Sequence, residues 1–251
     1  MNSKRLELFP LRGFPIVQPG DDVPNLIASV IKESGFKFQQ GDIIVVTHTI
    51  VSIAENKLQR LAEVIVSDKA KEMALSLKRA QENVEVALQQ AKDVLREGPV
   101  LITRTEHGII TDYSGVDESN APPGTLVTLP DDPNMSAKEI SKVISRGTGF
   151  NVPVIITDTQ GRPWRKGAVN LAIGVAGMSP FTQNAGKEDI YGRELRSSMV
   201  CIADQMASAA ELLMGQANEG VPVVIVRGVE FDAEGSSTSQ IIRPDSESLF
   251  D

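Results

Sequence analysis

Apolar and polar positions along the chain predict short buried strands interleaved with amphipathic helices. The clearest strand is the β-branched run Val154-Ile155-Ile156, too short for a helix and without polar interruption. Thr157-Asp158-Thr159, then Gly161 and Pro163, are expected to end it. Gly41-Asp42 opens a second continuous run, Ile43 to Ile50, and Val221 to Val226 is a third. Residues 4–9 alternate like a strand before Pro10 to Pro15 turns the chain. Val100 to Thr105 and Ile109 to Thr111 read as a hairpin around Glu106-His107-Gly108. Small apolar residues from Val169 to Met178 predict a strand lying close to other backbone.

Helical spacing runs from Val23 to Glu33, between the turn Pro19 to Asp22 and Gly35. The longest helical pattern opens at Ser67-Asp68 and continues to about Glu97. It contains no Gly or Pro, and Met73, Leu77, Val84, Leu88 and Leu95 give it an apolar side, so one long helix or a broken pair is expected. Ser136 is expected to cap a helix over Ala137 to Ser145. The charged stretch Lys187 to Glu194 is expected to open another that reaches Leu213. Polar, glycine-bearing segments at Ser114 to Asn120, Met214 to Gly220 and Gly235 to Ser237 read as loops. With no internal repeat and no low-complexity linker, the pattern predicts one unit of strands and helices over residues 1–251, or two intimately packed subdomains.

Composition narrows the function. The formal net charge of −8 gives no electrostatic case for nucleic acid or an anionic membrane as partner. A phosphate-bearing ligand must then be held by local basic groups and metal ions. One cysteine, Cys201, excludes an internal disulfide and a multi-Cys zinc site, and two histidines argue against a His-rich metal centre. No apolar leader or membrane-spanning run is visible, so a cytoplasmic protein is expected.

The candidate chemistry gathers at Asp158. A carboxylate between hydroxyls beside a buried strand supplies oxygen ligands suited to Mg²⁺ or Mn²⁺. Arg162, Arg165 and Lys166 follow closely and could bind anions near that metal, the pairing that phosphoryl transfer needs. A buried aspartate capping a turn beside solvated bases would have the same sequence. Asp117 and Asn120 form a second acid–amide pair. Gly-x-x-x-x-Gly-Lys-Ser/Thr, Gly-x-Gly-x-x-Gly and Gly-x-Ser-x-Gly are all absent, so a nucleotide user would need another cradle and serine hydrolase chemistry has no support.

Six ordered blocks resemble the coenzyme F420-0:L-glutamate (gamma-glutamyl) ligase family. They are Ile155 to Gly167 (IITDTQGRPWRKG), Ala172 to Gly177 (AIGVAG), Asp189 to Leu195 (DIYGREL), Leu212 to Gln216 (LLMGQ), Pro222 to Gly228 (PVVIVRG) and Ile241 to Pro244 (IIRP). The resemblance implies a GTP-dependent ligase that adds L-glutamate through an amide bond to a deazaflavin coenzyme by way of an acyl phosphate, releasing GDP and phosphate. It also implies an α/β fold with a mixed sheet (α+β) that forms an intertwined homodimer, two Mn²⁺ or Mg²⁺ ions and a K⁺ requirement. Carried over by motif, Asp117, Asp158, Thr159 and Gln216 are expected metal ligands. Arg12, Gly13, Phe14, Pro15, Thr47, His48, Asn120 and the loop Met214, Gly215, Gln216, Ala217, Asn218, Glu219, Gly220, Val221 are expected nucleotide contacts. Asp158, Arg165 and Lys166 are the expected catalytic groups, with Arg162 and Arg193 as further anion contacts.

Two departures stand out. Ser52-Ile53-Ala54-Glu55-Asn56 replaces the family's usual Ser-Lys-Ala-Glu-Gly, and Tyr113-Ser114-Gly115-Val116-Asp117 its Asn-Ala-Gly-Ile-Asp. Loss of the lysine removes a charge-assisted phosphate contact worth about 1.5–3 kcal/mol. A ligase for another carboxylate acceptor, or a non-catalytic nucleotide- or metal-binding dimer, are the alternatives that this change raises.

Overall fold

The computed structural model describes residues 5–233 and 237–248. Its elements in chain order begin with β1 (Glu7–Leu11), α1 (Val23–Ser34), β2 (Ile43–Thr47), α2 (His48–Ala54) and β3 (Leu58–Arg60). Then come α3 (Asp68–Leu77), α4 (Gln81–Gln90), β4 (Ala91–Glu97), β5 (Leu101–Thr105), β6 (Ile110–Asp112) and β7 (Thr125–Val127). The second half holds α5 (Pro133–Thr148), β8 (Val154–Arg162), β9 (Arg165–Ala176), β10 (Phe181–Gln183), β11 (Met199–Cys201), α6 (Ile202–Met214) and β12 (Val223–Arg227).

The central sheet has the order β1-β12-β2-β8-β9. It is mixed: β2 and β8 run parallel, and the other neighbours are antiparallel. Continuous apolar runs suit such strands because both sheet faces are covered. Alternation along each strand assigns the faces. Ile44, Val46, Val154, Ile156, Val223 and Ile225 pack with Ile27 and Ile31 of α1 and Ile140 and Ile144 of α5. Ile43, Val45, Ile155, Val224 and Val226 pack instead with Ala203, Met206 and Ala210 of α6. A third cluster, around Met73, Leu77, Val84 and Leu101, joins α3 and α4 to the small sheet β4-β5-β6.

Several elements differ from the sequence reading, each because of a long-range partner or a local cap. The run from Ile43 to Ile50 is a strand only to Thr47; His48 begins α2, and apolar continuity alone does not separate strand from buried helix. The stretch from Asp68 to Glu97 is a broken pair of helices followed by a strand. Lys78 adopts φ 53° and ends α3, while residues 91–97 pair with β5. Asp132, not Ser136, caps α5: its side chain accepts from the Met135 amide, and Pro133 takes the first helical position. The Ser136 hydroxyl donates to Glu55. The charged stretch 187–194 remains a loop, and α6 starts only at Ile202 after β11.

The early strand lies at Glu7–Leu11 and includes Pro10, tolerated because β1 is a sheet edge; residue 4 lies outside the described residues, as do Gly235 and Ser236 of the tail. Most consequential, β8 does not stop at Thr157. It continues to Arg162 and turns at Pro163-Trp164 into β9, because β9 supplies a ladder partner beyond Asp158. A register shift opposite Ile156–Thr157 bulges β9, and the neighbouring Gly174 lets α5 approach. A Cβ there would lie 2.3 Å from the Pro133 carbonyl oxygen.

Candidate active site

The parallel pair β2–β8 fixes the site. Thr47, the last residue of β2, lies opposite Thr157, so the parallel pairing ends at one place, where ligands characteristically meet α/β sheets, while β8 runs on. A cavity of about 800 Å³ opens there. Asp158 follows Thr157 and, by alternation, shares the face of Val154 and Ile156; Thr159 takes the opposite face.

Asp158 is 7% exposed. Its Oδ1 accepts from the Thr159 amide at 2.8 Å and lies 3.2 Å from His48 Nε2. His48 Nδ1 in turn meets Ser52 Oγ at 3.2 Å, so the ring is held from both nitrogens. The other carboxylate oxygen, Asp158 Oδ2, is buried with no hydrogen-bond partner. A buried acceptor without a donor is costly, and a cation is the natural way to satisfy it.

On the α6 face, Thr159 Oγ1 donates to Asn170 Oδ1 at 2.6 Å and accepts from Gln216 Nε2 at 3.0 Å. Glu211 orders this group: one carboxylate oxygen accepts from Gln216 Nε2 at 2.6 Å and the other from the Asn170 amide at 2.8 Å. The loop after α6 has structure of its own. Gly215 adopts φ 69°, and Glu219 folds back to accept from the Ala217 amide at 2.8 Å. With ψ −176° the Gly215 backbone is one that glycine adopts almost alone, whereas the nearby Glu219 carboxyl end is a flexible group that could move aside.

The third wall follows β6. Tyr113, Ser114 and Gly115 have successive φ of 47°, 56° and 68°. Asp117 comes next, bridged through its backbone to Val127, with Oδ1 accepting from the amide and hydroxyl of Ser119 at 2.9 and 2.8 Å.

The cavity brings together Phe14, Pro15, Thr47, His48, Asp117, Asn120, Asp158 and Thr159 with Met214, Gly215, Gln216, Ala217, Gly220 and Val221. Arg12, Gly13, Asn218 and Glu219 flank it without lining it. Arg165 and Lys166 do not line it either: the continued β8–β9 ladder carries them past Gly161 and Ala168, and both are exposed on the hairpin. Arg162 folds onto that same hairpin, donating to the carbonyls of Gly167 and Lys166 at 3.1 Å each. Sequence reasoning missed Arg79, Asn83 and Tyr113 as lining residues, and Asn170 and Glu211 as the support of Thr159 and Gln216. Single polar residues on helices and strands carry no local signal of this kind. Ile53, at the position of the family's lysine, is 6% exposed and lines the cavity.

Among the described residues no three His, Cys, Asp or Glu side chains converge as a metal cluster. Oxygen donors of mixed type line the one cavity: the Asp158 and Asp117 carboxylates, and the Thr159 hydroxyl bonded to the Gln216 amide. With Asp158 Oδ2 unsatisfied, donors of this chemistry suit a hard divalent cation. Burial pushes the Cys201 thiol up to about 12, so it is no nucleophile at neutral pH. Among the described residues no helix is long and apolar enough to cross a membrane.

A large polar cleft where the parallel pairing ends, with buried Asp158 and Asn170 among its lining, marks an enzyme of the mixed α/β class. The family follows from comparison with known proteins. The profile described as F420-0:Gamma-glutamyl ligase matches residues 13–228, so the chain belongs to that family, whose members are ligases that form an amide bond. The coenzyme F420:L-glutamate ligase of Methanothermobacter thermautotrophicus is 43% identical over 224 residues, 89% of each chain. That of Methanopyrus kandleri is 43% identical over 251 residues, 98% of this chain and 97% of the relative. The Archaeoglobus fulgidus enzyme is 39% identical over 245 residues, 98% and 96% respectively.

Proposed function

We propose that this ligase joins the amine of L-glutamate to the terminal carboxylate of the deazaflavin coenzyme F420-0, with GTP as the source of activation. The observation that carries the reading is the buried, unpartnered Asp158 Oδ2 at the base of the cavity. A carboxylate does not condense with an amine in water; it needs a better leaving group. The acceptor carboxylate oxygen attacks the γ-phosphorus of GTP, GDP departs, and an acyl phosphate forms. The glutamate nitrogen then attacks the acyl carbon, the C–O bond to phosphate breaks, and the amine proton is lost to solvent or phosphate.

Asp158, Asp117, Thr159 and Gln216 would hold Mg²⁺ or Mn²⁺. When bound, such ions neutralise charge building on the transferred phosphoryl group. His48, fixed by Ser52, keeps Asp158 in one rotamer, and Glu211 does the same for Gln216. Apolar Phe14, Ile50, Ile53 and Val221 line the same cavity and limit water, to which an acyl phosphate is vulnerable. K⁺ is a further requirement of this reading.

The working form is a homodimer. Support comes from Trp164, Ile190, Tyr191 and Leu212, large apolar side chains each at least 79% exposed. Arg165 and Lys166 adjoin Trp164, so they act in the second chain's cavity rather than their own.

The test is mass spectrometry of F420-0 incubated with the protein, GTP, Mn²⁺, K⁺ and L-glutamate. A gain of one or more glutamyl units, lost in Asp158→Asn with the fold intact, is expected. Absence of any gain from folded, metal-loaded protein would overturn the assignment of acceptor.

A further inference from the structure

The cavity is acidic where its substrates are anionic. Asp112, Asp117, Glu118 and Asp158 line it, and among the described residues the single Arg or Lys doing so is Arg79. Arg79 lies in the short link between α3 and α4, its amide accepted by the Ala74 carbonyl at 3.2 Å. Its guanidinium carbon stands 5.3 Å from the centre of the Tyr113 ring. Among the described residues no hydrogen bond or ion pair engages that guanidinium.

Tyr113 is itself held in place. It opens the left-handed turn whose next residue, Ser114, is 1% exposed and bonded to Thr103 and Ala87. Stacking on a fixed ring orients a planar guanidinium by its face and leaves its edge N–H groups available, the fork that matches a carboxylate or phosphate.

We propose that Arg79 contacts substrate, binding an oxyanion (carboxylate or phosphate) of one of the reactants. The inference rests on the cavity being the ligase site. A cation without an ion-pair partner among the described residues, lining a cavity that also holds four acids, gives the site a fixed contact for an anionic group.

The experiment measures equilibrium binding of GTP, L-glutamate and F420-0 separately by calorimetry, and the KM of each, for wild type, Arg79→Ala, Arg79→Gln and Arg79→Lys. Alanine and glutamine are expected to weaken one substrate about tenfold or more in both Kd and KM with kcat less affected, and lysine to restore part of the loss. The substrate affected identifies the oxyanion: GTP a phosphate, glutamate a carboxylate. All three unchanged within about twofold, or a fall in kcat and melting temperature with KM constant, would overturn the proposal. Wild type that binds none of the three would overturn it too. Wild type that binds without turnover removes the ligase reading, yet the binding comparison still decides Arg79.

Discussion

Ser114→Ala tests whether the strained turn of the third wall is clamped from beneath. Ser114 Oγ donates to the Ala87 carbonyl at 2.7 Å and lies 2.8 Å from Thr103 Oγ1, which also accepts the Ser114 amide at 2.9 Å. Since the Ser114 hydroxyl proton goes to Ala87, the Thr103 hydroxyl donates to Ser114. Alanine removes both hydroxyl bonds at a residue 1% exposed and leaves a buried carbonyl short of a donor. At about 1 kcal/mol per bond plus part of a desolvation penalty, the loss is about 2–3 kcal/mol. For a chain of this size that is roughly 4–12 °C in melting temperature. Alanine must still hold φ 56°, whereas Ser114→Gly loses the same bonds without the backbone penalty and is expected to melt higher by the equivalent of about 1 kcal/mol. Thermal denaturation of Ser114→Ala, Thr103→Val and the double mutant measures this, with a coupling of about 1 kcal/mol expected because the two share one bond. Melting of Ser114→Ala within about 1 °C of wild type, or strict additivity of the pair, would refute the clamp.

Two further predictions follow from the hairpin and from Glu55. If the proposed homodimer holds, Arg165→Ala/Lys166→Ala and Asp158→Asn dimers are each expected to be inactive, while subunits mixed after reversible unfolding regain up to about a quarter of wild-type turnover, since half the dimers are mixed and carry one intact site; no recovery from verified mixed dimers would refute the action of the two cations in the second chain's cavity. Burial raises the Glu55 carboxyl above its ordinary value of 4.5, opposed by the hydroxyl of Ser136. A folded-state value above the unfolded one means that stability falls as pH rises from the unfolded value through the folded one. Glu55→Gln is therefore expected to be more stable than wild type at pH 7, with the advantage shrinking as the pH is lowered through that window. An advantage that is constant with pH, measured by denaturant unfolding, would contradict the assignment.

Much of the cavity's lining was legible locally because its parts are contiguous in sequence. Thr157-Asp158-Thr159 beside a β-branched run, and the glycine-bearing loops at 114–120 and 214–220, are signals that a few neighbouring residues carry. The supporting contacts were not legible. Glu211 reaches Asn170 across 41 positions, and Ser67 anchors Glu85, whose carboxyl is held below its ordinary value chiefly by the Ser67 hydroxyl. Neither residue departs from what a solvated helix surface would contain.

The sequence by itself determined the β-branched strands, the helix capped by Asp22 and closed by left-handed Gly35, and the family, because each depends on local spacing or on ordered motifs. Tertiary structure alone decided that residues 91–97 are strand rather than helix, since only β5 supplies their ladder. It also decided that β8 runs through Asp158 into a hairpin carrying Arg165 and Lys166 beyond the cavity. Hydrogen-bond partners, close approach and the pairing of His48 with Asp158 are distances between segments far apart in the chain. Periodicity records which face a residue takes; it does not record what waits on the other side.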